Sequence, residues 1–280
     1  MKINEEQREM LSSFKCERLK QNGNRTLVQT IKAVRNPALV KIFGSDKAWQ
    51  EETDNATAYY VIKNNEGLVL AFFSIRCGEL FQGVDEELLK FADEVYQALK
   101  NVTDVLNPSQ ESRDKARLLY QEAQARGLNL DDILAYARKK QSYRADMSYE
   151  TSKEVNRVAS IFSGIELNLL GVNEYARDYW NSLGFPKKMG ETLFWGIIVP
   201  KLEDILNDVG AQYLYLFAAD DKPDGALVNY YRVRLQFVVP PNLGANKPRF
   251  DFQCQFMCQK IAELAKFKDY FFEHFNSAAL

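Results

Sequence analysis

The stretch SGIELNLLGVNEYARDYWNSLGFPKKMGETLFWGIIVPKLEDILNDVGAQYLYLFAAD (163–220) alternates between strand and helix patterns. Residues 163–173 and 211–220 are apolar runs of strand length, and residues 192–210 are first apolar and then amphipathic, as in a helix. A strand, a helix and a second strand in this order predict two parallel strands with a right-handed connection. We expect Pro200 to kink or divide the helix, because proline lacks the backbone N–H.

A hairpin pattern lies upstream of this unit. AYYVIK (58–63) and the nearly apolar LVLAFFSIRCGEL (68–80) flank NNEG, whose Asn and Gly residues suit a turn. The second run is typical of a strand that is buried on both faces of a sheet. Residues 44–57, GSDKAWQEETDNAT, are expected to be a polar break, and the segment up to Leu39 to be helical or mixed.

Residues 84–160 are rich in charge and carry Leu, Ala and Tyr at helical spacing, with Gly127 as an expected C-cap. We interpret them as a helical insertion within one domain that spans residues 1–280. Residues 259–276 are predicted to form a C-terminal amphipathic helix. The fold class is therefore mixed α/β, or α+β.

Composition excludes several kinds of chemistry. The 280 residues carry 36 Lys and Arg against 38 Asp and Glu, a net charge of −2, and this balance argues against a nucleic-acid partner. A single histidine, His274, excludes Ser–His–Asp or Cys–His machinery and multi-histidine metal sites. The four cysteines have no regular framework, so buried free thiols are expected and no metal: Cys16, Cys77, Cys254 and Cys258.

Targeting patterns point to the cytoplasm. The first residues, MKINEEQREML, are charged and unlike a signal peptide, and no apolar run approaches the roughly 20 residues of a membrane span. We therefore expect a cytoplasmic protein with no membrane partner.

The order of elements resembles the GNAT superfamily of acyl-CoA-dependent N-acetyltransferases. Residues 58–80 resemble its hairpin arm, 165–173 its fourth strand, and 229–237, NYYRVRLQF, its tyrosine-bearing helix. Residues 187–192, KKMGET, resemble its phosphate loop, Arg/Gln-x-x-Gly-x-Gly/Ala. The resemblance implies a central, mostly antiparallel sheet with one parallel pair, flanked by helices, and acetyl-CoA as co-substrate. It covers residues 40–83 and 160–255.

The resemblance also implies which residues bind the coenzyme. Backbone N–H groups at the first turn of a helix have no internal partner, and they can bind the diphosphate with the help of lysine charge. The implied cofactor-binding residues are Gly171, Val172, Lys187, Lys188, Met189, Gly190, Glu191 and Thr192. Lys187 stands where the family has Arg or Gln, Thr192 stands where it has Gly or Ala, and an additional helix is expected over 174–185.

Acyl transfer from a thioester to an amine needs a proton acceptor for the amine and a proton donor for the thiolate. Glu166, inside an apolar strand, is the candidate acceptor, and the alternative is a glutamate that faces solvent or pairs with a lysine. Tyr231, and after it Tyr230, are the candidate donors. Asp220 and Asp221 are candidates for binding a cationic substrate or for solvating a loop.

These patterns predict an acetyl-CoA-dependent N-acetyltransferase that acts on a primary amine by direct attack in a ternary complex. The acceptor is expected to be a small molecule or a protein or peptide amine, and the oligomeric state is left open, a homodimer included. The alternative is a catalytically inactive GNAT-like module that binds or regulates another protein.

Overall fold

The computed structural model describes residues 2–33, 37–83, 86–134, 158–219, 225–241, 243–245 and 254–277. The chain divides into two compact units, Met1–Phe81 with Ile161–Leu280 and Gln82–Ser160. Asp220 and Asp221 lie outside the described residues. No helix in the described part of the chain is both long and apolar enough to cross a bilayer.

A seven-stranded sheet is the framework of the fold, in the order β1-β2-β3-β4-β5-β7 with β6 beside β3. Strands β1/β2, β2/β3 and β5/β7 pair antiparallel, and β4/β5 pair parallel. The predicted mixed fold class, with a mostly antiparallel sheet and one parallel pair, is therefore confirmed. The strands are β1 Lys15–Arg18, β2 Ala58–Lys63, β3 Val69–Gly83, β4 Val158–Val172, β5 Tyr213–Ala219, β6 Leu243–Ala245 and β7 Cys254–Lys260.

The predicted hairpin is confirmed as β2 and β3, which pair from Ala58 with Ile75 to Lys63 with Val69. Gly67 adopts φ +87° in the turn, a left-handed conformation that favours glycine. The Asn64 side-chain oxygen accepts two N–H groups of the same turn. Turn residues therefore set the register, as the sequence indicated.

The helices surround the sheet or form the second unit. Helix α8 is a composite of Met189–Leu193, a π-helical turn Phe194–Ile198, and Val199–Leu206. The π turn lies just before Pro200, whose missing N–H removes an ordinary helical bond. Helical residues continue through Pro200, so the helix is not divided there. The other helices are α1 Glu5–Ser13, α2 Asn24–Leu27, α3 Pro37–Phe43, α4 Asp46–Thr53, α5 Glu86–Thr103, α6 Gln110–Ala125, α7 Arg177–Ser182, α9 Ala226–Arg234 and α10 Ile261–Glu273.

Two short elements differ from the sequence-based expectation. The polar break predicted at residues 44–57 is wrong, because helix α4 forms there. The Ser45 hydroxyl accepts the N–H of Ala48 and caps the helix, and Ala48 is buried against the sheet. Strand β1 was likewise not anticipated, since four residues are too few to show a period.

The second unit is helical in its described part. Helices α5 and α6 pack through a small apolar cluster of Val95, Ala98, Ala116, Leu119, Ala123 and Ile133. Gly127 follows α6 with φ +79°, which confirms the expected C-cap. That this unit is an insertion within a single domain stays a prediction.

The larger core cluster packs α8 and α10 against the sheet, with Phe194, Trp195 and Phe275 almost fully buried in it. Helix α10 confirms the C-terminal helix predicted for 259–276, with ends at Ile261 and Glu273. On the sheet, β4 pairs with β5 through Gly164, Ile165 and Glu166, opposite residues 213–215. Strand β4 then continues to Val172, so its carboxyl end extends beyond this pairing.

Replacement of Gly171 by alanine tests the packing at the end of β4. A Cβ at this position would overlap the ring of Phe72, which is fully buried. We expect Gly171→Ala to lower the free energy of unfolding by about 1–3 kcal/mol, the usual cost of overpacking. Gly210→Ala is the control, because nothing lies within 4 Å of its added Cβ. Urea titrations that find equal stability for the two variants would contradict this packing.

Candidate functional site

A cavity of about 680 Å³ lies at the carboxyl end of β4, and its volume is typical of small-molecule sites. Its wall combines this strand end, helix α7, the segment after α7, the start of α8 and one face of α9. The structure thereby brings together residues as far apart in the sequence as Ala33 and Tyr231. Of the residues predicted from sequence, Gly171, Val172, Lys187, Lys188, Met189, Gly190, Tyr230 and Tyr231 line it.

The start of α8 faces this cavity. Lys188 is the N-cap residue, with extended backbone angles, and the N–H groups of the next three residues have no acceptor within the helix. Thr192 is fully buried, and both its N–H and its hydroxyl donate to the Lys188 carbonyl oxygen, at 3.1 and 3.0 Å. Thr192 therefore closes the first helical turn and does not line the cavity.

Glu191 introduces a negative charge at this helix start. Its carboxylate is buried and accepts the Lys188 N–H at 3.1 Å. Arg234 of α9 lies beside it, with Nε 3.8 Å from the carboxylate. Glu191 is thus a capping residue behind the cavity wall, and its charge opposes the binding of an anion at the helix N-terminus.

Gly190 and Tyr230 are in close proximity across the cavity wall. A Cβ on Gly190 would lie 2.9 Å from the Tyr230 hydroxyl and 3.5 Å from Val172. Burial, and then the nearby Tyr231 and Glu191, raise the pKa of Tyr230 above its ordinary value. Burial raises the pKa of Tyr231 to about 12. Both phenols are therefore protonated at neutral pH and can donate.

Lysine and arginine side chains supply positive charge at this wall. Lys188 is exposed, whereas the Lys187 ammonium donates to the Ser277 carbonyl oxygen at 3.1 Å. Arg177 of α7 is half exposed and lies 3.5 Å from Glu174. Sequence patterns did not single out Arg177, although the additional helix that carries it was expected.

Trp180 positions the segment between α7 and α8. It is buried, and its indole N–H donates to the Lys187 carbonyl oxygen at 3.2 Å. Its ring packs on Phe185, with ring centroids 4.7 Å apart. Both residues line the cavity. In the sequence, the signal that could have pointed to Trp180 is a tryptophan within the additional helix expected over 174–185.

Glu166 lies elsewhere on β4 and does not line the cavity. Its side chain is 5% exposed, and its two carboxylate oxygens accept from Nε and Nη2 of Arg76 at 3.0 Å. The Tyr215 hydroxyl donates to the same carboxylate at 3.2 Å. Glu166 therefore belongs to a buried polar cluster with an arginine, and its role as proton acceptor stays a prediction.

Among the described residues, no group of three or more His, Cys, Asp and Glu side chains is arranged to hold a metal ion.

The strand order, with its parallel β4/β5 pair and the helix α8 between those strands, is the topology that the GNAT resemblance implied, and this confirms the resemblance at the level of the fold. No family model matches the chain, and no curated protein matches it in sequence.

The chain is similar to several solved structures, all at low sequence identity. AtaTR bound with AcCoA is 11% identical, with 91% of this chain and 98% of that chain covered and a TM-score of 0.45. AtaT complexed with acetyl-methionyl-tRNAfMet is 10% identical, with 91% and 98% covered and a TM-score of 0.43. The KacTA–DNA complex is 9% identical, with 91% and 99% covered and a TM-score of 0.45.

The prediction that net charge excludes a nucleic-acid partner is wrong. The similar structures include one complex with a tRNA and one with DNA. The exclusion relied on a net charge of −2, which is a sum over the whole chain. Cations can still cluster locally, as Lys187 and Lys188 do on one cavity wall.

Removal of the Arg76 guanidinium tests the cluster around Glu166. Arg76→Met leaves the buried carboxylate without its charged partner, and we expect the free energy of unfolding to fall by about 2–3 kcal/mol, since Arg76 itself is partly exposed. Lys2→Met is the control, because its pair with Glu273 is exposed. The double variant Arg76→Met with Glu166→Gln should recover part of this lost free energy of unfolding. If Arg76→Met loses no more than Lys2→Met, the assignment of a buried Arg76–Glu166 pair is contradicted.

Proposed function

We propose that this chain binds an acyl-coenzyme A, with acetyl-CoA as the expected donor, and transfers the acyl group to a primary amine. The observation that carries the proposal is the cavity in which the end of β4, the N-terminus of α8 and two protonated tyrosines of α9 meet. An anion site, an acyl-group site and a proton donor are the three components that such a transfer needs.

The residues at the start of α8 fit a diphosphate group. The backbone N–H groups of Met189 and Gly190 are free within the helix, and the helix dipole favours negative charge there. Gly190 has no side chain, so the space in front of the Tyr230 hydroxyl stays open. Lys188 and Arg177 add charge at the same wall. Bound acetyl-CoA supplies the activated thioester.

The chain's own residues would then move protons. The amine nitrogen attacks the thioester carbonyl carbon, a C–N bond forms, and the C–S bond breaks. Tyr231, or its neighbour Tyr230, gives its phenolic proton to the departing thiolate. Glu166 takes the proton that the amine loses. Because Glu166 does not line the cavity, a water molecule carries this proton to it. Direct attack of this kind needs no histidine and no nucleophilic cysteine.

A second candidate function is a GNAT-like binding module without catalysis. Glu191 favours it, because a buried carboxylate at the helix start repels an anion. The Lys187 ammonium also favours it, because that group already donates to the Ser277 carbonyl oxygen. Coenzyme A binding distinguishes the two candidate functions, because the transferase requires it and the binding module does not.

Thermal unfolding with acetyl-CoA is the direct test of the proposed function. At 100 times its dissociation constant a ligand adds about 2.7 kcal/mol, which raises Tm by about 2–4 °C for a chain of this size. Gly190→Glu should abolish the shift by filling the space before Tyr230. Gly210→Glu, where the added side chain meets open space, should retain it. No shift at millimolar acetyl-CoA in the unmodified protein would reject the enzyme and favour the binding module.

Neutralisation of Glu191 should strengthen coenzyme binding. Glu191→Gln keeps an oxygen for the Lys188 N–H and removes the negative charge, so we expect the dissociation constant for coenzyme A to fall about three- to tenfold. Glu203→Gln, whose carboxylate pairs with Lys268, is the charge-matched control. Calorimetric titration measures both, and weaker binding by Glu191→Gln would mean that the carboxylate does not oppose the ligand.

The tyrosines are tested by kinetics. Tyr231→Phe removes the proton for the thiolate and should lower kcat about 10²- to 10⁴-fold, with the dissociation constant for acetyl-CoA unchanged. Tyr230→Phe distinguishes the two phenols by the same assay of thiol release. Tyr179→Phe, on α7, is the control tyrosine. An unchanged kcat in both α9 variants would remove the tyrosines from the mechanism.

A further inference from the structure

A second cavity, of about 580 Å³, lies beside the first and shares Ala33 with it. We name it the basic cavity, because its charged lining residues are Arg25, Lys32, Lys41 and Asp46. It belongs to the same unit of the chain as the first cavity. None of the residues predicted from sequence as a site lines it.

The charges of the basic cavity are unbalanced. Asp46 is the one carboxylate among its described lining residues, and it pairs with Arg25 at 2.8 Å. The Arg25 guanidinium stacks on the Trp49 ring, 4.5 Å from its centroid. Lys32 and Lys41 form no ion pair with a carboxylate in the described ranges of the chain. Two lysines that line the cavity therefore have no carboxylate partner in the described ranges, in a chain whose net charge is −2.

Lys32 is fixed to the strand end that lines the first cavity. Its N–H donates to the Asn173 side-chain oxygen at 3.0 Å, and its carbonyl oxygen accepts the Glu174 N–H at 2.7 Å. Its ammonium lies 4.4 Å from the ring centroid of Tyr175, a contact that leaves the charge in place. Asn173 is itself buried and donates to the Val69 carbonyl oxygen at 2.8 Å. The backbone of Lys32 is thus held by direct hydrogen bonds to Asn173 and Glu174, and Glu174 lines the first cavity.

We propose that the basic cavity binds a phosphate ester group on the acceptor, so that the acceptor is a phosphorylated primary amine. The proposal rests on the proposed function, since it assigns the remote end of the substrate whose amine enters the first cavity. Lys32 and Lys41 bind the phosphate oxygens, and the two cavities are neighbours that share Ala33 in their linings.

Charge and size favour a phosphate ester over a carboxylate. A phosphate ester carries about −1.5 to −2 charges at neutral pH, which matches the two uncompensated lysines, whereas a carboxylate carries one. Its three oxygens can accept from both ammonium groups at once. The cavity volume also suits a group larger than a carboxylate.

Kinetics with a series of amines tests the proposal. Ethanolamine, β-alanine, O-phosphoethanolamine and its homologues with longer alkyl chains are compared as acceptors, with thiol release as the readout. We expect the phosphorylated amines to have the highest kcat/KM. The alkyl-chain length that gives the highest value indicates the distance between the amine and phosphate positions. Lys32→Gln combined with Lys41→Gln should lower this kcat/KM about 10- to 100-fold and abolish the preference for phosphorylated amines over ethanolamine.

Lys47→Gln is the matched control. This lysine lies on helix α4, forms an exposed ion pair with Glu51 and does not line the cavity, so its loss lowers the net charge without changing the cavity lining. No preference for phosphorylated amines, or an equal loss in the Lys47 variant, would overturn the proposal.

Direct binding separates this proposal from the proposed function. Calorimetry measures O-phosphoethanolamine binding to the full chain without acetyl-CoA. If no amine is acetylated but this probe binds, and binding requires Lys32 and Lys41, the transferase function fails and the phosphate site stands. If the probe does not bind and the phosphorylated amines have no kinetic advantage, the phosphate site is rejected.

Discussion

The parallel pairing of β4 with β5 is the constraint on which the rest of the structure depends. It joins Gly164, Ile165 and Glu166 to residues 213–215 and so places the two strands in one sheet with α8 between them in the chain. Tyr215 reaches the Glu166 carboxylate from the neighbouring strand. A Cβ on Gly78 would overlap the Tyr215 hydroxyl, so this approach requires glycine on β3. Beyond the pairing, β4 extends to the cavity.

Buried carboxylates recur in this fold, and each is compensated by its own partner. Glu52 accepts from Arg18 and from the Tyr59 N–H, Glu166 from Arg76, and Glu191 from the Lys188 N–H. A buried charge without such contacts would cost several kcal/mol, so these carboxylates fix the elements that carry their donors. For Glu191 this structural task conflicts with anion binding at the same helix start, which is why coenzyme binding is the informative measurement.

Some of the site could be predicted from the sequence, for local physical reasons. The hairpin followed from its turn residues and apolar strands, and the phosphate-loop-like segment 187–192 could be singled out because it is short and local. The helix was expected over 192–210, whereas α8 begins earlier, at Met189. The partners of these elements could not be predicted. Nothing local pairs Glu166 with Arg76, 90 positions earlier, or places Arg234 beside Glu191. Helix α4 was not predicted, because most of its residues are polar and the few buried ones do not form a clear apolar period.

By itself the sequence determined the alternation of strands and helices, the phosphate-loop-like segment and the exclusion of histidine-based chemistry, because these depend on neighbouring residues and on composition. Only the tertiary structure decided which side chains share a cavity and which are held elsewhere. It placed Tyr230 in front of Gly190 and kept Glu166 and Thr192 off the cavity wall. It also left Lys32 without an acidic partner among the residues that the structure describes. The physical reason is that a contact between distant residues depends on how the sheet and its helices pack. Local sequence patterns do not determine that packing.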